Sequence, residues 1–302
     1  MERVARERRR LAAGGLMGLG MLISSCAGDA PSAGVAPAPA RLLVSAQNTE
    51  ILVGVDRVSF ALFDASQRPL NGARARLELV RAGTTLESRP LEGIGAEYGQ
   101  IPIYVGTARF PAPGPITLRV HASMTDGRRF DGATVAVVTN RSHELPVGHQ
   151  VPPLRQAILG TPGVTIGQID SGVPPDPWHT ATIADGLAQH RPMVLYFGQP
   201  GFCKSRTCGP TVQVLQQLCR QFCGGFLVEH VEVHVPAGPD ETATVNPAFT
   251  AFGLQTDPWI YFVNAAGVVS DRFEGPVTAK ELGTAAIGTL AGKVPAVDVS
   301  AG

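Results

Sequence analysis

The chain lacks an excess of charge of either sign, because 25 Lys and Arg residues balance 25 Asp and Glu residues. No overall electric field therefore attracts the protein to a polyanion, and we expect no nucleic-acid partner. The chain also lacks the Ser-His-Asp order of a catalytic triad, a phosphate-binding loop and the Cys and His spacing of a zinc signature. We accordingly expect no metal ion and no cofactor.

Apolar runs long enough to span a bilayer are also missing from the N-terminus. Five arginines precede residue 11, and the apolar run from Leu11 to Ser25 is too short for a transmembrane helix. This pattern predicts a signal peptide over residues 1–25. The run ends in Leu22-Ile23-Ser24-Ser25-Cys26, which resembles the bacterial lipobox, so Cys26 is expected to carry the lipid that anchors the protein to the cell membrane. An ordinary signal peptide with an incidental cysteine is the alternative, and the export route stays open.

Cysteine is scarce, with five residues in the whole chain. Beyond Cys26, four remain, an even number that suits disulfides in an oxidising compartment. Of the three possible connectivities, the close spacing favours Cys203 with Cys208 and Cys219 with Cys223. The second pair lies on one helical face about 6 Å apart, so a structural bridge there requires a loosened helix end, which Gly224-Gly225 provides. Free buried cysteines are the alternative for this pair.

Alternating apolar and polar residues characterise the first half of the mature chain. A tether rich in Ala, Pro, Gly and Ser covers residues 26–40 and has too few apolar side chains to fold. Residues 41–140 then alternate with period two between turn signals such as Pro69-Leu70-Asn71-Gly72. The pattern predicts an all-β, immunoglobulin-like sandwich that acts as a spacer or a contact module.

The second half of the chain follows a different pattern. Residues 141–177 are rich in Pro, Gly and His and are predicted to be a linker. Residues 178–292 alternate between helical and strand patterns, as in an α/β domain with crossover helices. One of these helices should begin at Thr278, because Thr278 and Glu281 form a capping box. Residues 293–302 are predicted to be a disordered tail.

Three motifs in this second domain resemble the thioredoxin family over residues 181–290. Residues 192–197 look like the strand that leads to the redox loop, and Cys203 and Cys208 stand where that loop meets the next helix. Residues 252–259 are similar to the segment that ends in a cis-proline, and residues 260–269 match the closing hairpin. The resemblance implies a C-terminal α/β thioredoxin-like fold, a cis bond before Pro258, and a substrate site that includes Pro258 and Trp259.

The chain departs from the family in the spacing of the two thiols. Four residues separate Cys203 from Cys208, whereas the family usually has two, and a competing alignment places Cys208-Gly209-Pro210-Thr211 on the family motif. Tyr196 stands where the family often has a buried acid. A helix N-terminus and nearby cations can lower a thiol pKa, which favours Cys208 as the attacking thiol. The family position favours Cys203, and we expect Cys203 to attack.

These residues lead to two hypotheses about function. The first is thiol–disulfide exchange through the catalytic pair Cys203 and Cys208, with thiols or disulfides of exported proteins as partners, at the outer face of the membrane. The second is a non-catalytic lipoprotein that binds a partner and uses its disulfides only for stability. A further pattern, His230, Glu232 and His234 alternating along one strand, could ligate a metal if that face were open, but hydrogen-bonded groups are the more usual interpretation.

Overall fold

The computed structural model describes residues 38–95, 102–239, 243–293 and 300–301. Ala38–Gly302 forms one compact unit. The predicted signal peptide, the lipidation site Cys26 and most of the predicted tether and tail lie outside the described residues, so those assignments stay predictions.

The N-terminal half is built from β-strands whose inward positions carry apolar side chains. In β7, for example, Ile116, Leu118 and Val120 are buried while the residues between them are half-buried. They pack with residues such as Phe60 and Leu77 in one hydrophobic core. The strands are β1 (Ala40–Ala46), β2 (Ile51–Leu52), β3 (Gly54–Asp64), β4 (Arg74–Arg81), β5 (Thr84–Ile94), β6 (Ile103–Phe110), β7 (Gly114–Ser123), β8 (Arg129–Thr139) and β9 (Arg141–Ser142).

Seven of these strands close into a barrel, so the predicted immunoglobulin-like sandwich is wrong. Neighbours follow the order β1-β3-β6-β5-β4-β7-β8, and β8 then pairs with β1, in parallel, where Ala40 and Arg41 lie opposite Phe130 and Asp131. Where the barrel closes, the backbones of Gly132 and Leu42 lie in contact. The approach is so close that a Cβ atom on Gly132 would collide with the Leu42 carbonyl oxygen. Alternation is common to sandwiches and barrels, so it could not separate the two architectures.

The C-terminal half contains a four-stranded mixed sheet in the order β11-β10-β14-β15. Strands β10 and β11 are parallel, and the β10–β14 and β14–β15 pairs are antiparallel. Most of these elements lie where the sequence predicts them, including the capping box at Thr278. The elements are α1 (Ile166–Ile169), α2 (Ile183–Ala188), β10 (Met193–Gly198), α3 (Cys208–Phe222), β11 (Leu227–Glu232), β12 (His234–Val235), β13 (Thr244–Val245), α4 (Pro247–Ala251), β14 (Trp259–Val263), β15 (Val269–Glu274), α5 (Ala279–Leu290) and β16 (Ser300–Ala301).

The predicted α/β thioredoxin-like class is also wrong for the chain. Only 18% of the described residues are helical, and the arrangement is not a clear α/β thioredoxin fold. The short helices explain the difference, since α1, α2 and α4 have four, six and five residues. The Pro- and Gly-rich stretch before α2 runs largely outside regular structure, because Pro removes backbone donors and restricts φ. None of the helices in the described ranges is both long and apolar enough to cross a membrane.

Apolar cores cover both faces of the four-stranded sheet. On one face, Val194, Tyr196 and Ile260 pack against residues of α3 and α5, such as Leu215 and Leu282. The opposite face packs against α2, α4 and the irregular segment that precedes α2. Burial on both faces holds β10 firmly, and the loop that follows it therefore starts from a rigid base.

Candidate functional site

Disulfides lie at both ends of helix α3. Cys203, in the loop after β10, is bonded to Cys208, the first residue of the helix, with their Cα atoms 6.0 Å apart. Cys219 is bonded to Cys223, the residue that caps the helix, with their Cα atoms 4.4 Å apart. A short 3₁₀ turn over Cys223–Gly225 follows, which is the loosened helix end that this bridge requires. Both pairings predicted from spacing are therefore confirmed.

The two sulfurs of the first bridge differ in their surroundings. Cys203 is half-buried, whereas Cys208 is fully buried. The backbone N–H of Cys208 donates a hydrogen bond to Cys203 Sγ over 3.2 Å, and Ser205 Oγ lies 3.2 Å from the same sulfur. Backbone N–H groups in a first helical turn have no partner within the helix, and they stabilise negative charge placed against them. A thiolate on Cys203 would therefore be both reachable and stabilised.

A carboxylate lies against the buried sulfur. Asp257 Oδ2 is 3.0 Å from Cys208 Sγ, and the backbone carbonyl of Asp257 accepts a hydrogen bond from Ser205 Oγ over 3.3 Å. The bond between Asp257 and Pro258 is cis, as the resemblance implies. Sequence reasoning missed Asp257 because it is 49 residues from Cys208, and only its place beside the expected cis-proline could have drawn attention to it.

Tyr196 occupies the interior behind this bridge. Its hydroxyl donates a hydrogen bond to the carbonyl oxygen of Cys208 over 3.2 Å. Complete burial, together with nearby carboxylates, raises the pKa of Tyr196 well above its ordinary value, so the phenol stays protonated. Tyr196 thus holds the first turn of α3 in place, and the acid in contact with the cysteine pair is Asp257.

Pro258 and Trp259, the residues predicted to contact substrate, are both buried. The Trp259 indole donates a hydrogen bond to Thr256 Oγ1 over 3.2 Å and stacks on Tyr261 with ring centroids 5.9 Å apart. The guanidinium of Arg272 covers the same indole at 5.4 Å from the ring centroid. These contacts hold the strand that begins after Pro258, and a role of either residue in substrate binding stays a prediction.

The surface around Cys203 is partly apolar and partly cationic. The loop exposes Lys204 and Arg206 on the C-terminal side of Cys203, and Phe202 beside it is 41% exposed. Arg206 adopts a left-handed backbone conformation with φ of 60°, in which few residues other than glycine are found. The loop therefore turns sharply just before α3 begins.

A second cluster of titratable side chains lies around His230 on β11. Asp170, Asp176, His179 and His230 place possible ligand atoms within 4.8 Å of one another, and all four side chains are buried. Sequence reasoning noted only His230, because it assigned Asp170 and Asp176 to a linker and did not single out His179. The one available signal was the spacing of Asp176 and His179 within a Pro-rich stretch. The alternating residues of this strand are hydrogen-bonded, which is the interpretation that the sequence favours. His230 bonds to Gly198, Glu232 accepts from Ser171, and His234 contacts Gln199.

Comparisons with known proteins give only weak structural neighbours. No family model matches the chain, and no curated protein matches it. A thiol:disulfide interchange protein of the thioredoxin family from Chlorobium tepidum TLS is similar at 16% identity and a TM-score of 0.30, covering 42% of this chain and 96% of its own.

Two other neighbours are of a different kind. CopC from Methylosinus trichosporium OB3b is 13% identical with a TM-score of 0.24, and the match covers 32% of this chain and 91% of CopC. The PKD domain of the human receptor SorCS2 is 16% identical with a TM-score of 0.21, and the match covers 43% of this chain and 98% of that domain. Likenesses at this level do not define the function.

Proposed function

We propose that the protein performs thiol–disulfide exchange through Cys203 and Cys208, with Cys203 as the attacking thiol. The observation that carries the proposal is the asymmetry of the pair. Cys203 Sγ is partly exposed and accepts the first-turn N–H of α3, whereas Cys208 Sγ is buried against Asp257. An accessible, stabilised thiolate beside a buried partner thiol is the arrangement that exchange requires.

The proposed reaction transfers two electrons between substrate and protein. When the bridge oxidises a substrate dithiol, a substrate thiolate attacks Cys203 Sγ, the bond to Cys208 breaks, and the electron pair leaves with Cys208 Sγ. The second substrate thiolate then attacks the substrate sulfur of the mixed disulfide, and Cys203 leaves as a thiolate. The substrate gains a disulfide and the protein gains two thiols. In the reverse direction, the Cys203 thiolate opens a substrate disulfide and Cys208 resolves the mixed disulfide.

Asp257 supplies a proton carrier for the buried sulfur in this scheme. When the bridge opens, the thiolate of Cys208 forms in a site closed to solvent, where an uncompensated charge is costly. A carboxyl group at Asp257, 3.0 Å away, can deliver a proton to that sulfur, and in the reverse direction its carboxylate can accept the proton from the thiol.

The proposed setting is the outer face of the cell membrane, with exported proteins as partners. This part rests on the sequence alone, through the arginine-rich N-terminus and the lipobox that ends at Cys26. Radiolabelled fatty acid should enter the protein in cells and be absent from a Cys26→Ser variant. Label that persists in the variant would contradict the lipid anchor without affecting the exchange proposal.

A trapping experiment with single cysteine variants tests the exchange proposal. Cys208→Ser lacks the resolving thiol, so its Cys203 should form a stable mixed disulfide with glutathione disulfide. Cys203→Ser keeps only the buried thiol and should form much less adduct over the same time. Intact-mass measurement under non-reducing conditions quantifies both adducts.

The control for this experiment is the double variant Cys219→Ala/Cys223→Ala, which removes the other bridge and keeps both reactive cysteines. It should exchange with glutathione at the wild-type rate. Adduct that forms faster on Cys203→Ser than on Cys208→Ser would reverse the roles of the two thiols. If neither variant forms an adduct and the wild-type bridge survives millimolar dithiothreitol, the exchange proposal is wrong and the bridge is structural.

A further inference from the structure

The cluster around His230 combines two carboxylates with two imidazoles in the interior of the protein. Side-chain exposure is 0% for Asp170, His179 and His230 and 3% for Asp176. Asp170 caps the end of α1, Asp176 and His179 follow in the irregular segment, and His230 lies on β11. Buried charges of this kind are found in proteins when they are paired with one another or when they coordinate a metal ion.

The distances between possible ligand atoms of the four residues, with either oxygen of Asp176, are of the size that a tetrahedral site requires. His179 Nε2 lies 3.0 Å from Asp170 Oδ2 and 3.3 Å from Asp176 Oδ1. His230 Nδ1 lies 2.8 Å from Asp176 Oδ2 and 3.9 Å from Asp170 Oδ2. A zinc ion bound to N and O atoms at about 2.0–2.1 Å requires neighbouring ligands about 3.3 Å apart. The observed distances scatter around that value.

The orientation of His230 gives an independent reason to place a cation among these atoms. Its Nε2 lies 3.1 Å from the carbonyl oxygen of Gly198, which only accepts hydrogen bonds, so Nε2 carries the proton. In the neutral ring, Nδ1 then carries a lone pair and no proton. This atom is buried without a hydrogen-bond partner, and a carboxylate oxygen of Asp176 lies 2.8 Å away. Two electron-rich atoms at that distance repel each other unless a cation lies between them or the ring is protonated.

The surroundings of the cluster match in part those that support metal ligands in proteins. A ligating histidine usually donates its other N–H to a carbonyl or a carboxylate, as His230 does to Gly198, whereas His179 Nδ1 is buried without such a partner. The two carboxylates are themselves held by backbone N–H groups, Asp170 by Gly172 and Asp176, and Asp176 by Trp178. These bonds fix the direction of each ligand before any ion arrives.

We propose that Asp170, Asp176, His179 and His230 form a buried site for one divalent transition-metal ion, with Zn²⁺ as the fitting ion. Two carboxylates and two neutral imidazoles neutralise a divalent cation and provide the four N and O ligands that zinc accepts. The ion would link the irregular segment 170–179 to β11. This assignment departs from the absence of a metal that the sequence predicts, and it is independent of the proposed exchange activity.

The alternative to a metal ion is a network of protonated histidines and carboxylates. The neighbouring aspartates raise the pKa of His179 to about 9 against the opposing effect of burial, and His179 and His230 hold the pKa of Asp176 well below its ordinary range. In that case, the cluster binds no ion, and its histidines carry the positive charge that balances the aspartates. The two arrangements differ in metal content, which can be measured directly.

Cobalt is the probe that tests the site, because Co²⁺ occupies zinc sites and reports its ligands by absorbance. The full chain, unfolded and refolded with its disulfides oxidised and Co²⁺ present, should retain one equivalent after desalting. Its spectrum should show the visible bands of a tetrahedral site and lack a thiolate charge-transfer band. Refolding with Zn²⁺ should raise the unfolding temperature, because an ion that binds only the folded state stabilises it.

Variants with side chains of similar size and shape test whether the ion binds at the cluster. Asp176→Asn and His179→Gln each remove one ligand and should weaken Co²⁺ binding by at least about 100-fold. His234→Gln alters a buried histidine outside the cluster, bonded to Gln199, and should keep wild-type affinity. If one ligand variant fails to fold, the other and the stoichiometry of the wild-type chain decide.

Three results would overturn the proposal. The first is a refolded wild-type chain that retains no Co²⁺ or Zn²⁺, which would establish the protonated network. The second is Co²⁺ binding by Asp176→Asn and His179→Gln with wild-type affinity. The third is a thiolate charge-transfer band, which would mean that the Cys203–Cys208 bridge has opened and that the ion binds these cysteines with Asp257, the other group of possible ligands in the described part of the chain.

Discussion

The chemistry of the cysteine pair depends on a few atoms around each sulfur. Cys203 Sγ faces an N–H of the helix start, and Cys208 Sγ faces the carboxyl group of Asp257. The first contact stabilises a thiolate, and the second provides a site for the proton that a buried thiolate needs. In the proposed exchange, the two sulfurs of one bridge would thereby serve different steps.

Asp257 is the residue whose replacement tests the proton step. In Asp257→Asn, the side chain keeps its size and can still contact Cys208 Sγ, but it can no longer take up a proton. Resolution of a glutathione adduct on Cys203 should slow by about 100-fold, the lower limit for loss of a general base. Rapid-quench alkylation across a range of pH values measures this rate.

The control for that measurement is Asp126→Asn, which changes an exposed aspartate paired with Arg128 in a barrel turn. It should leave the rate and its pH profile unchanged. An unchanged pH profile in Asp257→Asn would mean that water, and not this carboxyl, takes the proton.

Glu144 makes the stability of the protein depend on pH. Burial and the adjacent carboxyl of Glu50 raise the pKa of Glu144 from 4.5 to about 7. The unfolded chain loses this proton at lower pH than the folded protein does, so stability falls as the pH rises from about 4.5 to about 7.

Glu144→Gln should remove this part of the pH dependence, because the amide resembles the protonated carboxyl. The wild-type protein should lose unfolding free energy between about pH 5 and about pH 8, and the variant should lack this loss. Urea unfolding at the two pH values measures the change, and Glu92→Gln, at an exposed position of β5, serves as the control. If the unfolding free energy fell equally between the two pH values in Glu144→Gln and in wild type, the raised pKa would not belong to Glu144.

At the scale of elements, helix α3 has a separate disulfide at each of its two ends. The bridge at its start joins the helix to the loop after β10, and the bridge at its end closes the last turn between Cys219 and Cys223. The second bridge spans four residues in sequence, and a loop that short restricts the unfolded chain less than a longer loop would.

Removal of the second bridge should therefore have a limited effect. The double variant Cys219→Ala/Cys223→Ala should lose about 2 kcal/mol of unfolding free energy, measured by denaturant titration. Its Cys203–Cys208 pair should keep the wild-type reduction potential in a glutathione redox titration. A shift in that potential would show that the far end of α3 controls the reactive end, contrary to this expectation.

At the scale of the molecule, ion pairs between partly buried side chains connect the barrel to the C-terminal sheet. Arg57 on β3 bonds to Glu281 in the first turn of α5 at 2.6 Å, and also donates to the carbonyl of Glu274. Arg272 on β15 bonds to Glu50 at 2.7 Å, and their side chains are only 9% and 11% exposed. The two halves are thus joined by specific charged contacts as well as by packing.

Loss of one partner in this interface should destabilise the whole protein. Arg272→Met removes the cation and leaves Glu50 buried without its counter-ion, which should lower the unfolding free energy by about 3 kcal/mol. Arg128→Met, in a pair whose side chains are 56% and 51% exposed, should change it by less than about 1 kcal/mol. Denaturant titration compares the two, and equal losses would show that the buried pair has no special role.

The sequence by itself determined most local structure and the pairing of the cysteines. Period-two alternation located strands such as β7, and the capping box located the start of α5, because these signals depend on residues close together along the chain. The disulfide partners followed from spacing for the same reason.

Only the tertiary structure decided how distant residues meet. Closure of the barrel comes from the pairing of β1 with β8, next to which the backbones of Leu42 and Gly132 touch, and alternation does not encode this pairing. The proximity of Asp257 to Cys208, and of Asp170 to His230, comes from the packing of loops against strands far away in sequence. Local sequence patterns reflect interactions between residues that are close along the chain. These sites depend instead on the three-dimensional path of the chain, which the sum of many weak contacts determines.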